Sequence, residues 1–216
     1  MPAVVFLQST IPSVVPAASR HTFRSPLVPK LIEQIRQRFD RFGHRAYGEV
    51  VDLREHMLQT AFFAESKGAD EELITACLLH DFGHLLVDLP EDAANRGIDG
   101  RHEQIGADAL AGHFPARIVY AIRLHVDAKR YLCARSPGYP ARLSPASVDT
   151  LAVQGGPMSP EEMARFEARP WYKDALAVRV FDDLGKEPEL EHPDLDHYLG
   201  IARGFVLASG QSSAGF

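Results

Sequence analysis

The sequence predicts an all-α fold in a single domain. Apolar residues recur every three or four positions along several stretches, which is the spacing of a helix that packs on one face. Ser or Asp residues suited to helix caps precede several of these stretches, and no segment alternates apolar and polar residues over more than a few positions. With 216 residues, 45% of them hydrophobic and 24% charged, the chain can bury one sizeable core.

Five helices are predicted in the N-terminal part of the chain. Apolar residues from Leu31 to Phe39 mark the first, and Gly43 can end it. Asp70 is a suitable N-cap for the third, because Glu71 and Glu72 then lie in its positively polarised first turn. The first, second, fourth and fifth helices are predicted at 27–42, 52–67, 101–113 and 115–132, and the third begins at Asp70. The second has His56 and Thr60 on its inward face, and the third carries Cys77 and His80.

Four further helices are predicted in the C-terminal part. Ser144-Pro145 and Ser159-Pro160 each combine a cap residue with a proline at the first helical position, so a helix is predicted after each. Gln154-Gly155-Gly156-Pro157 separates these two helices. The last two helices are predicted at 170–183 and 194–206, and irregular loops at 44–51, 86–100 and 135–143.

The two ends of the chain are predicted to lie outside the domain, which extends from 27 to 207. Four prolines up to Pro26 break any long helix, so residues 1–26 are interpreted as a loosely ordered extension. Alternatively, this basic segment, with Arg20, Arg24 and Lys30 but no acidic residue before position 33, is a transit peptide. Residues 208–216 form a small polar tail.

Composition excludes several classes of function. The net charge of −6 argues against a nucleic-acid-binding surface but allows a local basic pocket, and no apolar run is long enough to span a membrane. Cys77, on an apolar helix face, and Cys133, just past a predicted helix end, form no disulfide framework, which indicates a reducing, cytoplasmic location. With ten histidines and few thiols, a metal would have nitrogen and oxygen ligands, which favours iron, manganese or zinc.

The most informative stretch is Leu78-Leu79-His80-Asp81-Phe82-Gly83-His84. Leu73, Ala76 and His80 share one helix face, so a histidine and an aspartate are expected to be buried together. Burial of such a pair is costly unless the two groups are paired or bind a metal. His84 lies one turn beyond His80 and can sit above it if the helix continues.

Six residues on predicted buried helix faces suit a site for two metal ions. Each alone is better explained as a hydrogen-bonded core residue or a surface residue. Together, however, they come from five helices and leave open coordination positions, which catalysis needs. Asp81 has two oxygens and could bridge the ions. The other histidines, at positions 21, 44, 113, 192 and 197, are interpreted as loop or surface residues. The six candidate ligands are His56, His80, Asp81, His102, His125 and Asp182.

Two cations lie close to these ligands in the sequence. Lys129 follows His125 by four residues, and Arg179 precedes Asp182 by three. Both are ordinary surface charges in the simplest interpretation. If they point into the metal pocket, they form a binding site for a phosphate-like anion, with Arg179 as a bidentate donor. Ser147 and Thr150, which share a helix face, could add hydroxyl donors.

The chain resembles the HD-domain mixed-valent di-iron oxygenases of organophosphonate breakdown, which are distant relatives of myo-inositol oxygenase. The resemblance extends from about Tyr47 to Tyr198. It rests on the H…HD…D pattern and on the following stretches: Arg-Glu-His56-Met-Leu-Gln-Thr-Ala, Ala-Cys-Leu-Leu-His80-Asp81-Phe-Gly-His84, Arg-His102-Glu-Gln-Ile-Gly-Ala, His125-Val-Asp-Ala-Lys129-Arg-Tyr-Leu, Leu-Ser-Pro-Ala-Ser147-Val-Asp-Thr150-Leu, Gln154-Gly-Gly-Pro-Met and Arg179-Val-Phe-Asp182.

The resemblance implies a site with two iron ions, in the Fe(II)/Fe(III) state. A tyrosine and a glutamate before the first histidine act as a lid in the family. Glu49 matches that glutamate, whereas Tyr47 lies one residue closer to His56 than the family's lid tyrosine. The implied ligands of one iron are His56, His80, Asp81 and Asp182, those of the second are Asp81, His102 and His125, and the implied phosphonate contacts are His84, Lys129, Ser147, Thr150 and Arg179.

The reaction implied by the resemblance is cleavage by O2 of the carbon–phosphorus bond of a 1-hydroxyphosphonate, which yields a carboxylate and phosphate. Candidate substrates are 2-amino-1-hydroxyethylphosphonate, its N-methylated analogues and hydroxymethylphosphonate. Two alternatives remain open from the residues alone. One is a metal-dependent phosphohydrolase acting on a phosphate ester, in which the metals activate water. The other is a metal-loaded sensor or scaffold without catalytic activity.

Overall fold

A computed structural model describes residues 27–46, 48–88, 90, 93 and 96–208. The predicted extension 1–26, the tail from Ser209 and Tyr47 lie outside the described residues. Within the described part, the regular elements are helices and the only β-type contact is one isolated bridge, as the all-α prediction requires. The helices are α1 (Leu27–Phe42), α2 (Leu53–Ser66), α3 (Glu71–Leu79), α4 (His102–Leu110), α5 (Ala116–Arg135), α6 (Pro145–Val153), α7 (Pro160–Glu167), α8 (Tyr172–Leu184) and α9 (Leu195–Arg203).

Helix α5 lies at the centre of the fold and packs against α3, α4, α7 and α8. A large apolar core fills the space between α1, α2, α3, α4, α5, α8 and α9, and a smaller core lies between α5, α7 and α8. The two cores meet at α5, which carries His125 and Lys129, and at α8, which carries Arg179 and Asp182. In the described residues, no helix combines the length and apolar character needed to cross a membrane.

The helix starts follow the predicted caps. The side chains of Asp70, Ser144 and Ser159 each accept a hydrogen bond from the backbone N–H three residues later. Ser159 and Glu162 form a reciprocal capping box. Such a cap stabilises a helix by about 1 kcal/mol. These contacts therefore fix where α3, α6 and α7 begin.

Several helices end at other residues than predicted: α4 ends at Leu110 rather than at 113, and α9 at Arg203 rather than at 206. Helix α3 ends at Leu79, and the chain then makes a 3₁₀ turn at Phe82–Leu85, so His84 does not continue the α3 face above His80. Helix α5 extends to Arg135, so Cys133 lies within the helix rather than past its end. Both cysteines are buried and free, in agreement with the absence of a disulfide framework.

The tight turn after α3 requires glycine. A Cβ atom on Gly83 would lie 1.9 Å from the backbone oxygen of His102, far below any van der Waals contact. Gly106 in α4 packs against the same turn, with a Cβ position 2.8 Å from the Gly83 nitrogen. These two glycines allow the His80–His84 segment to lie directly against the start of α4. The turn and the helix start thereby bring His84 and His102 together.

Candidate metal centre

Two groups of potential metal ligands share Asp81. In the first, the Nε2 atoms of His56 in α2 and His80 after α3 lie 3.1 Å apart, and each lies 3.5 Å from Asp81 Oδ2. In the second, the Nε2 atoms of His102 in α4 and His125 in α5 lie 3.1 Å apart. Asp81 Oδ1 lies 3.2 Å from His102 Nε2 and 3.5 Å from His125 Nε2. The two carboxylate oxygens thus face different histidine pairs.

Backbone carbonyls set the tautomer of three histidines. The Nδ1 atoms of His56, His80 and His125 each lie 2.7–2.8 Å from a carbonyl oxygen, of Gly185, Cys77 and Ile122 respectively. A carbonyl only accepts, so Nδ1 carries the proton and a neutral ring leaves Nε2 as a bare lone pair. Burial lowers the pKa of His80 and lowers that of His125 well below its usual value, which keeps both rings neutral.

These bare nitrogens fit metal ions. The Nε2 atoms of His80 and His125, each without a proton, face the Nε2 of a second histidine and an oxygen of Asp81. Such a group of acceptors is repulsive in a buried site unless a proton or a metal cation lies between them. Carbonyl acceptors on the opposite ring nitrogen are also the usual outer partners of metal-bound histidine. The donor set of imidazole nitrogen and carboxylate oxygen suits zinc, manganese or iron. The residues therefore fit a two-metal centre.

Asp182 in α8 lies beside the first group. Its Oδ1 lies 3.5 Å from His56 Nε2, and its Oδ2 accepts a hydrogen bond of 2.7 Å from Arg179. Burial alone would raise the pKa of Asp182, but the charges of Arg179 and Lys186 hold that pKa far below its usual range. The carboxylate is thus ionised and oriented towards His56. The structure brings all six candidate ligands together.

A small cavity of about 90 Å³ adjoins the metal centre. Lys129 lies on its wall and is almost completely buried, and its Nζ donates to Thr150 Oγ1 at 2.8 Å. Burial, followed by the charge of Arg179, lowers the pKa of Lys129 to about 7. In the described part of the chain, no carboxylate lies within ion-pair distance of this ammonium group. An anion in the cavity would stabilise its charged form.

Arg179 is more constrained than the sequence indicates. Its Nε donates to Tyr139, one terminal nitrogen donates to Asp182, and the other donates to Asp183 and, at 3.3 Å, to Ser147 Oγ. Both ends of the guanidinium group therefore contact carboxylates of its own helix. A bidentate contact with a substrate anion stays a prediction. One terminal nitrogen donates to the hydroxyl of Ser147, which lines the cavity.

His84, Ser147, Thr150 and Glu49 also line the cavity, whereas Tyr47 lies outside the described residues. The His84 ring stacks on His102 with centroids 4.1 Å apart. Burial, followed by the charge of His102, lowers the pKa of His84 to about 3, so its ring is neutral. We call the cavity-lining donors His84, Lys129, Ser147, Thr150 and Arg179 the anion site.

Sequence reasoning missed Lys186. It lines the cavity just after α8, and its Nζ lies 2.8 Å from Glu49 Oε1. Its position in the sequence could have indicated it: Lys186 follows the candidate ligand Asp182 by four residues, just as Lys129 follows the candidate ligand His125 by four. Of the remaining histidines that the structure describes, none of those interpreted as loop or surface residues lines this cavity. His44, His113 and His197 are exposed, His21 lies outside the described residues, and His192, in a loop as predicted, is largely covered and contacts Glu55.

The HD domain family model matches residues 53–168 of this chain. The [1-hydroxy-2-(trimethylamino)ethyl]phosphonate dioxygenase (glycine-betaine-forming) of Leisingera caerulea is 44% identical over 177 residues, which cover 82% of this chain and 90% of that protein. The hydroxymethylphosphonate dioxygenase of Gimesia maris is 42% identical over 158 residues, which cover 72% and 78%. An uncharacterized protein of Acanthamoeba polyphaga mimivirus is 37% identical over 175 residues, which cover 79% and 80%. The chain therefore belongs to the HD-domain family, in the branch that contains these phosphonate dioxygenases.

Proposed function

We propose that this protein is a di-iron oxygenase that uses O2 to cleave the carbon–phosphorus bond of a 1-hydroxyphosphonate. The substrate R–CH(OH)–PO₃²⁻ and O2 yield R–COO⁻, HPO₄²⁻ and a proton. In this balance the C–H and C–P bonds supply four electrons to O2, and both oxygen atoms enter the products. The observation that carries the proposal is the junction of a two-metal ligand set with a cationic cavity, in a chain 44% identical to a phosphonate dioxygenase.

Two irons in the mixed-valent Fe(II)/Fe(III) state supply the activation of O2 when bound. His56, His80, Asp81 and Asp182 would hold one iron, and Asp81, His102 and His125 the other. The backbone carbonyls that accept from His56, His80 and His125 keep the coordinating nitrogens deprotonated and the rings fixed.

The chain's part in the reaction is to bind and orient the phosphonate. Lys129 Nζ and Thr150 Oγ1 already form a hydrogen-bonded pair at the cavity wall. A phosphonate oxygen that replaces part of this pair would receive donors from both side chains, and Ser147 Oγ adds a third. Fixed donors around a dianion contribute binding and orientation in a site that excludes water. The carbinol carbon is thereby held beside the metal centre.

Candidate substrates follow from the two named relatives. Hydroxymethylphosphonate, 2-amino-1-hydroxyethylphosphonate and its N-methylated analogues share the hydroxyl and phosphonate groups that the site would recognise. They differ only at the far end of the molecule. In all three classes of substrate, the phosphonate is the group that the anion site would bind.

A coupled assay of oxygen consumption and phosphate release tests this function. We expect the iron-loaded protein to release one phosphate for each O2 consumed, from at least one of these hydroxyphosphonates, and to release none under nitrogen. Phosphate release without O2, from a phosphate ester such as p-nitrophenyl phosphate, would identify a phosphohydrolase instead. Lack of turnover with every hydroxyphosphonate would also contradict the proposal.

A further inference from the structure

We propose that Lys186 is a third cation of the anion site and that its ion pair with Glu49 sets how tightly the site binds a phosphonate dianion. The inference rests on the proposed function, because it concerns the charged group of the same substrate. Neither residue is a candidate metal ligand.

The ion pair lies inside the cavity. Lys186 Nζ lies 2.8 Å from Glu49 Oε1 and 3.4 Å from the hydroxyl oxygens of Ser144 and Ser147. The side chains of Lys186 and Glu49 are only 14% and 7% exposed. Electrostatic interactions between such shielded groups are screened less by salt than those at the surface. The pair therefore contributes to the electrostatic potential at the position of a substrate bound in the cavity.

Three cations surround the N-terminal part of α6. Ser147 Oγ lies 3.4 Å from Lys186 Nζ and 3.3 Å from a terminal nitrogen of Arg179, and Lys129 Nζ contacts Thr150 one turn later. A dianion that accepts from Ser147 would lie within reach of Lys186.

The three cations are not equally available. Arg179 is neutralised by Asp182 and Asp183, which belong to its own helix. Lys186 has Glu49 at 2.8 Å, and Asp182 Oδ1 lies farther away, at 3.8 Å. Glu49 lies on a segment before α2, outside α8, so the pair joins two separate parts of the cavity wall. A dianion competes for Lys186 with one close carboxylate, of Glu49, and with the more distant one of Asp182, whereas for Arg179 it competes with two carboxylates that accept hydrogen bonds.

The opposite charges of the pair give opposite expected effects. Loss of the Lys186 charge removes an attraction for the dianion, so binding weakens. Loss of the Glu49 charge removes a repulsion and also releases Lys186 towards the dianion, so binding tightens. A pair that served only to fasten the segment before α2 to the end of α8 would behave differently. Both substitutions would then lower stability and leave phosphonate affinity unchanged.

Titration calorimetry with methylphosphonate tests the inference, because this probe has the dianion but no carbinol hydroxyl and no charged far end. The iron-loaded full chain would be compared with Lys186→Met, Glu49→Gln and, as a matched control, Lys173→Met on the exposed surface of α8. We expect Kd to rise about tenfold in Lys186→Met, to fall about threefold in Glu49→Gln and to stay unchanged in Lys173→Met. Melting temperatures report stability separately.

An unchanged or higher Kd in Glu49→Gln would overturn the inference, whether or not Lys186→Met folds. An unchanged Kd in a folded Lys186→Met variant would do the same. If the wild-type protein turns over a hydroxyphosphonate but both variants bind methylphosphonate with the wild-type Kd, only this inference fails. If the wild type neither binds methylphosphonate nor releases phosphate from any hydroxyphosphonate, the proposed function fails and the inference fails with it.

Discussion

The two halves of the candidate metal centre share Asp81 but differ in how firmly the chain holds them. In the first half, His56 and His80 are buried and both donate from Nδ1 to backbone carbonyls. In the second half, His125 is held in the same way, but the His102 side chain is 12% exposed and its Nδ1 lies 3.8 Å from Glu103 Oε2. Among the residues that the structure describes, that glutamate oxygen is buried and has no hydrogen-bond partner.

This difference indicates a division of roles between the two halves. The first half is also oriented by Asp182, which Arg179 holds by a hydrogen bond of 2.7 Å. Its ligands are therefore positioned before a metal binds. The second half contains His102, whose ring stacks on the cavity residue His84. We expect the first half to bind its iron more tightly and the second half to exchange its iron more readily.

Asp81→Asn should have the largest effect, because Asp81 is the residue common to both halves. The amide is neutral and keeps nearly the same shape, so the helices should still fold. We expect iron content to fall close to zero and turnover to become undetectable. Metal analysis and circular dichroism check this prediction. A variant that retains both irons would show that Asp81 does not bridge the two halves.

His102→Ala should remove only the second iron. We expect about one iron per chain, loss of turnover and a melting temperature close to that of the wild type, since the ring lies at the cavity edge. His125→Ala should likewise remove the second iron and abolish turnover, whereas His56→Ala should empty the first half. Near wild-type turnover in His102→Ala would contradict the two-metal assignment.

Helix positions were largely predictable, since they depend on local signals. The Asp70, Ser144 and Ser159 caps fix helix starts through contacts only three residues away. The end of α3 was not predictable from the apolar pattern, which continues past His80. Its termination is tied to Gly83, whose hydrogen lies against the His102 backbone of a helix 19 residues further along the chain. A packing contact between residues so far apart in the sequence produces no pattern in the sequence around the helix end.

The candidate site was predictable in its residues but not in its charge balance. Histidines and aspartates on apolar helix faces indicated the ligand set, because buried ionisable groups need a partner. The pairing of Arg179 with Asp183 and Tyr139, and of Lys186 with Glu49, depends on how α8, α6 and the segment before α2 meet. Residues distant in sequence decide which cations remain available to a substrate.

Lys129→Ala should weaken substrate binding without removing iron. The ammonium group lies at the anion site rather than among the ligands, and it donates to Thr150 at 2.8 Å. We expect KM for the turned-over hydroxyphosphonate to rise about tenfold to a hundredfold, from the loss of a charged hydrogen bond. Steady-state kinetics with Lys173→Ala as the exposed control measures this effect. An unchanged KM would exclude Lys129 from the anion site.

Glu103→Leu should have the smallest effect on iron binding, and it tests whether the two halves of the metal centre differ in how tightly they bind iron. The Glu103 carboxylate lies 3.8 Å from His102 Nδ1 and could orient that ring when iron binds. We expect the second iron to be lost about tenfold more readily, measured by chelator titration, while the first iron stays. Glu103→Gln, which keeps an acceptor, should lose less affinity. Equal loss of both irons would indicate a general effect on the fold.

The most direct measurement is the iron content of the wild-type protein together with its electron paramagnetic resonance spectrum. We predict about two irons per chain and, after partial oxidation, the signal of a coupled Fe(II)/Fe(III) pair that changes when a hydroxyphosphonate is added. A single iron per chain, or two irons whose spectrum shows no coupling, would contradict the shared Asp81 centre on which the proposed function depends.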